Sequence, residues 1–113
     1  MTIQYKNQGF NLNTTDTVSV LTANATSVVL IKQIQASNGS GGALAVITQV
    51  TDTTAAVTYR IGNQSIAGAS TTDIITKTLV LESTDVLKMT CATKDEIQGI
   101  VSYALINREN QNG

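Results

Sequence analysis

The sequence predicts an all-β chain of antiparallel strands closed into one sandwich or barrel, and three observations predict it. Apolar and polar residues alternate with a period of two through much of the chain, and no segment sustains a helical period. Turn-forming clusters near residues 38–42, 52–54, 62–64, 68–70, 83–85 and 93–96 recur at intervals of about ten to fifteen residues, the spacing of many short strands rather than of βαβ units. A chain of 113 residues makes one domain, and folding buries roughly two-thirds of the surface its unfolded form exposes.

The elements follow in order. Residues 1–13 are polar, with Ile3, Tyr5, Phe10 and Leu12 as sparse apolar anchors, and are expected to form an N-terminal arm that docks on a partner. Val18 and Val20 open a strand. The run Val28, Val29, Leu30, Ile31 continues to Ile34 and Ala36, and its inward phase changes between Ile31 and Ile34, which places a bulge near Lys32. Asn38-Gly39-Ser40-Gly41-Gly42 then breaks the chain, with glycines that permit positive φ. It precedes a β-pattern and lacks a Gly-Lys-Ser/Thr ending, so it is a structural loop rather than a phosphate cradle.

From residue 43 to 51, Leu44, Val46, Thr48 and Val50 share a face. From 55 to 61, Ala55, Val57, Tyr59 and Ile61 do the same. Asp52-Thr53-Thr54 between them closes an antiparallel hairpin, with the Asp52 carboxylate available to the turn backbone. Downstream, Leu79 and Leu81, the turn Ser83-Thr84-Asp85, and then Leu87, Met89 and Cys91 read as a second pair. The last strand sets Ile97, Val101, Tyr103 and Leu105 on one face, with Gly99 a bulge or a close approach of another backbone. Its other face carries Ile100, Ala104 and Ile106, so it is either central between layers or covered by another subunit. Residues 14–106 thus form the β-domain, and 107–113 a wholly polar C-terminal tail.

Composition argues against an enzyme. The chain has no histidine, the side chain most used for acid–base work near neutral pH and the commonest metal ligand. Ser and Thr hydroxyls abound, with no base placed to activate one. The carboxylates are scattered over turns and ends. Asp95-Glu96 supplies too few oxygens for Ca²⁺, so no metal or cofactor is expected. Seven Lys+Arg against eight Asp+Glu give a net charge of −1, without the basic field of a nucleic-acid binder. Few aromatics are present, which leaves an aliphatic core and little for bases or sugars to stack on. Cys91 is alone and shares the inward phase of Leu87 and Met89, so it reads as a buried small hydrophobe. No apolar run approaches the ~20 residues of a membrane helix, and no signal-like apolar stretch opens the chain. The expectation is a soluble protein made in the cytoplasm. Lys32, Arg60, Lys77 and Lys88 fall at outward positions or near turns, as solvated or edge-protecting charges do.

Val50-Thr51-Asp52-Thr53-Thr54-Ala55 with Tyr59-Arg60-Ile61, then Leu79-Val80-Leu81-Glu82-Ser83-Thr84-Asp85-Val86-Leu87-Lys88-Met89, and Ile31-Lys32 leading to Ser37-Asn38, together resemble a group of small all-β virion proteins of tailed bacteriophages. The likeness spans roughly residues 15–106 and departs from the family at Thr84, where a turn glycine is common before the Asp. The resemblance implies a jelly-roll-like antiparallel β-sandwich of about seven to eight strands. It implies a structural role as a capsid decoration (cement) protein or as a neck or tail component, located in the virion after synthesis in the host cytoplasm. Its partners would be the major capsid protein or other virion proteins, with a homo-oligomer, a trimer by analogy, as the assembling unit. Ile3, Tyr5, Phe10, Leu12, Ile100, Ala104 and Ile106 are then the expected contact residues, with neither nucleic acid nor membrane as partner. The alternative from another class is a glycan-binding module using loops 39–42 and 67–70.

Overall fold

The computed structural model describes residues 2–107, and these contain strands and turns only. Nine strands run in order: β1 (Thr2–Asn11), β2 (Val18–Thr22), β3 (Ser27–Asn38), β4 (Leu44–Asp52), β5 (Val57–Ile66), β6 (Ser70–Ile75), β7 (Leu79–Leu81), β8 (Val86–Cys91) and β9 (Ile97–Asn107). Sheet A has the order β1-β9-β3-β6, with β7 also on β3, and sheet B the order β2-β8-β4-β5; every pairing is antiparallel. β6 pairs with residues 34–38 of β3 and β7 with residues 29–31, so the two are one edge interrupted at residues 76–78. Counting them as one gives eight strands in two four-stranded sheets, the jelly roll that the resemblance implies.

The strands form where alternation is cleanest. Val29, Ile31, Ile34 and Ala36 of β3 face inward with Leu81, Ile97 and Val101, against Val46, Ile66, Leu87, Met89 and Cys91 of sheet B. Each fully buried aliphatic chain of this size contributes about 1.5–3 kcal/mol. The phase change in β3 is a bulge: Ile31 pairs with Tyr103 and Gln33 with Ser102, which leaves Lys32 as the extra residue. The first hairpin pairs antiparallel as expected, but its turn runs over residues 53–56, so Ala55 belongs to the turn and not to the strand. Asp52 pairs with Val57, and the Asp52 Oδ1 accepts a bond from Ala55 N at 3.1 Å.

Several expectations are corrected. The segment 79–91 is no hairpin, since β7 lies in sheet A and β8 in sheet B. Its turn crosses from sheet to sheet at one end of the sandwich, where Asp85 Oδ2 accepts from Glu82 N at 3.1 Å and Ser83 Oγ donates to Ser27 O at 2.8 Å. Thr84 sits there at φ 74°, a left-handed conformation that a glycine would suit. Residues 62–64 are not a turn: β5 continues through them, with Ile61 bulged and Gly62 seated over Thr48, whose Cβ lies 3.7 Å from a glycine Cβ position. No described glycine has positive φ; the left-handed positions are Ala56, Ala69, Thr84 and Asp95.

The predicted arm of residues 1–13 is likewise a strand of the sandwich. Thr2 to Asn11 pair in unbroken register with Asn107 to Gln98 of β9, and Leu12 is fully buried, with its N–H donating to Ile97 O at 2.9 Å. The expected tail overlaps the described residues only at Asn107, the last residue of β9; residues 108–113 lie outside them.

Candidate functional site: the outer face of sheet A

In an antiparallel pair, residues directly opposite share a face, so the register builds this surface row by row. One row is Ile3, Ile106 and Val28; the next is Tyr5, Ala104, Leu30 and Val80. Tyr5 is 83% exposed, Ile3 52% and Val80 49%, while Ala104, between Tyr5 and Leu30, is buried. Two adjacent rows of apolar side chains thus stand toward solvent across four strands. Further along the same face the rows turn polar: Asn7, Ser102 and Gln33; Gly9, Ile100 and Gln35; then Asn11, Gln98, Ser37 and Thr71. Asp73, opposite Gln35, is the charged residue on these paired rows, and its carboxylate accepts a 2.9 Å bond from Gln33 Nε2.

At this polar end the face sinks into an open groove of about 690 Å³ between Gly9, Asn11, Gln98 and Gln35, with Ile100 at its side. The groove exists because Gly9 brings no side chain to the face. Sheet B offers a contrast. One of its outer rows is Ser19, Lys88, Gln49 and Arg60, with two cations, and another sets Val86 beside Thr51 and Thr58. Two rows at one end of sheet A are therefore apolar and uncharged, whereas these outer rows of sheet B carry charges and hydroxyls.

Of the seven expected contact residues, Ile3, Tyr5, Ala104 and Ile106 come together in the two apolar rows, and Ile100 lies on the same face beyond Ser102. Phe10 and Leu12 do not belong with them. Phe10 turns inward beside Gly99, and Leu12 is in the core, because both fall on the even, inward phase of this segment. Val28, Leu30 and Val80 complete the surface. Apolar neighbours on both sides hid the phase of Val28 and Leu30 in the sequence, whereas alternation already sets Val80 opposite in phase to Leu79 and Leu81.

A second apolar site opens along the free edge of β5, where Val57, Tyr59 and Ile61 are exposed and a cleft of about 330 Å³ runs between Ile61, Ile74, Ile75 and Leu79. The loops considered for a glycan use their polar groups on each other. Ala69 N donates to Ser40 O, and the buried Asn38 amide donates to Gly42 O and Ile66 O, each at 2.9 Å. A Cβ on Gly68 would lie 2.5 Å from Gly41 O, so only glycine allows the two loops to pack this closely. Among the described residues, no three His, Cys, Asp or Glu side chains gather as metal ligands would.

No family model and no curated protein sequence matches this chain. Its fold is similar to that of solved structures. One is from Bacillus endospore appendages, described as a novel family of disulfide-linked pili: TM-score 0.57, 8% identity, covering 94% of this chain and 88% of that one. A second is from the T13 particle of infectious bursal disease virus: TM-score 0.55, 11% identity, 94% of this chain and 31% of that one. A third is from the Gt strain of that virus: TM-score 0.51, 9% identity, 97% of this chain and 33% of that one. The chain thus spans about a third of the length of the viral chains it matches. At these identities the likeness is one of fold: an all-β sandwich of the kind found in viral particles and in a pilus.

Proposed function

We propose that this chain is a structural, non-enzymatic protein of a tailed-phage virion, a capsid decoration subunit that attaches through the apolar rows of sheet A. The carrying observation is that surface itself, in which Ile3, Tyr5, Val28, Leu30, Val80 and Ile106 line up beside a buried Ala104 with no charge among them. Fully burying such a side chain contributes about 1.5–3 kcal/mol. Ile3 and Val80 have about half of that still to gain and Tyr5 most of it. A contact this modest suits a protein bound in many copies, where repetition over a lattice supplies the collective stability. The jelly roll shared with chains of a viral particle and the likeness to tailed-phage virion proteins support the same reading. The pilus likeness supports it less, because those pili are disulfide-linked and the one cysteine in these residues, Cys91, is buried in the core.

The test is co-sedimentation of the protein with phage heads that lack it. Wild-type protein should pellet with the heads to a saturating occupancy. Val80→Asp, a charge at the β7 end of an apolar row, on the edge of the sheet opposite β1, should lose attachment while its circular dichroism stays unchanged. Equal occupancy for the variant would sink the assignment of this face. Labelling that marks the neck or tail of intact virions instead of the head would replace decoration with that role.

A further inference from the structure

We infer that β1 is a docking edge for the β1 of a second copy of this chain, antiparallel and in one register, with Asn7 on the two-fold axis. This does not rest on the virion reading. A sheet edge offers unpaired backbone groups to any passing strand, and proteins blunt such edges with bulges, breaks, proline, short length or charged side chains. Three of the four edges here are blunted. β2 has five residues with Val20 bulged, β5 has Ile61 bulged, and the β6–β7 edge has Ile74 bulged and is interrupted at residues 76–78. β1 has no bulge, break or proline: it runs ten residues in a register with β9 that never slips, and Lys6 is its single charge. Gln8 Nε2 donates to Gly9 O at 2.9 Å, and that carbonyl keeps a second lone pair for a partner strand.

The register follows from pleat, length and charge. With the outer faces of both copies on the same side, residues opposite each other must both face out or both face in, so the axis passes through a residue. Residue 6 or 7 gives the longest overlap. An axis at residue 6 sets Lys6, the one charge on the strand, against Lys6 of the second copy, and like charges directly opposite are destabilising. An axis at Asn7 sets Lys6 against Gln8, Asn7 against Asn7, Ile3 against Asn11 and Tyr5 against Gly9. The last pair is the telling one. Tyr5 is the most exposed large hydrophobic side chain among the described residues, and Gly9 lines the groove of about 690 Å³, with Ile100 beside it. The tyrosine of each copy covers the glycine of the other and enters the mouth of its groove, as aromatic residues cover edge glycines elsewhere.

Two measurements decide the matter. Light scattering on the full chain, from micromolar upward, should give twice the monomer mass of 11.9 kDa. Asn7→Lys should halve it with the circular dichroism unchanged. A wild-type mass of one or of three chains overturns the proposal. Cysteine scanning fixes the register. Under mild oxidation Asn7→Cys should cross-link to itself, because directly opposed residues lie within the reach of a disulfide. Tyr5→Cys should not, since its two copies sit roughly 14 Å apart along the strands. The buried Cys91 does not compete. A cross-link through Tyr5→Cys, or none through Asn7→Cys, refutes the pairing.

Discussion

Gly99 lies in the middle of sheet A, between Phe10 of β1 and Ala36 of β3, and its lack of a side chain is what lets three strands close up there. A Cβ at this position would overlap Gln35 O and would stand 2.6 Å from Phe10 Cζ and 2.9 Å from Phe10 Cε1. The register shows no slip at Gly99, so of the two readings open in the sequence, the close approach holds and the bulge does not. Gly99→Ala must therefore move something. Phe10 can rotate, but Gln35 O belongs to the backbone of a central strand and can retreat only by straining the β3–β9 ladder. Overpacking of this kind costs about 1–3 kcal/mol, and the fixed position of the carbonyl places Gly99→Ala near the top of that range. At roughly 4–8 °C per kcal/mol for a domain of about this size, the melting temperature should fall by roughly 10–20 °C. Thermal unfolding followed by circular dichroism measures this, with Gly41→Ala as control, since nothing lies within 4 Å of a Cβ there. In a Phe10→Leu background, Gly99→Ala should remain destabilising, because the carbonyl is still in the way. A Gly99→Ala protein that melts with the wild type would refute the argument, and full rescue by Phe10→Leu would shift the cause from the carbonyl to the ring.

Two further outcomes follow from burial. Leu12→Ala should cost about 2–5 kcal/mol, because Leu12 is fully buried at the end of β1; a near-neutral value in urea unfolding would restore the free-arm picture of residues 1–13. Thr48→Val should stabilise by about 1 kcal/mol, because the buried Thr48 Oγ1 has no hydrogen-bond partner and valine keeps the branch without the hydroxyl; a lower urea midpoint than wild type would show that the hydroxyl is satisfied.

Alternation made most of the strands legible, because it records which side chains meet the core. It does not record which sheet carries them. β7 and β8 keep one inward phase across residues 82–85, as the two arms of a hairpin would, yet they face the same core from opposite sheets. β1 was hidden for a different reason. Its inward-phase Gln4, Lys6 and Gln8 are polar and exposed, so the segment lacks the buried stripe that marks a strand, and only its pairing with β9 identifies it. The bulge at Lys32 was legible because a slip of one residue reverses every later side chain, and Ile34 and Ala36 fall out of step with Ile31.

The contact surface was legible to the extent that it opposes the core on a clearly phased strand. Ala104 and Ile106 are apolar where β9 should be polar, and Ile3 and Tyr5 are apolar in an otherwise polar segment. Val28 and Leu30 sit in a continuous apolar run, so their direction needs the register, whereas Val80 is already opposed to Leu79 and Leu81 by alternation. The edge needs more still: that β1 runs without bulge or break has meaning only once the other three edges are seen to carry them. Face and edge meet on this one strand. Pairing through β1 consumes Tyr5 and the groove beside Gly9, while Leu30, Val80, Val28 and Ile106 lie on strands farther from the axis and remain open in both copies. Because the two-fold axis runs perpendicular to the sheet, both apolar fields then look the same way. A dimer formed at the edge would present two attachment patches on one side, and a lattice contact that is weak for one copy is strengthened by linkage to the other. Asn7→Lys and Val80→Asp separate the two effects: the first should reduce attachment to heads by loss of the linked copy while leaving each patch intact, and the second should abolish attachment while leaving the dimer mass unchanged.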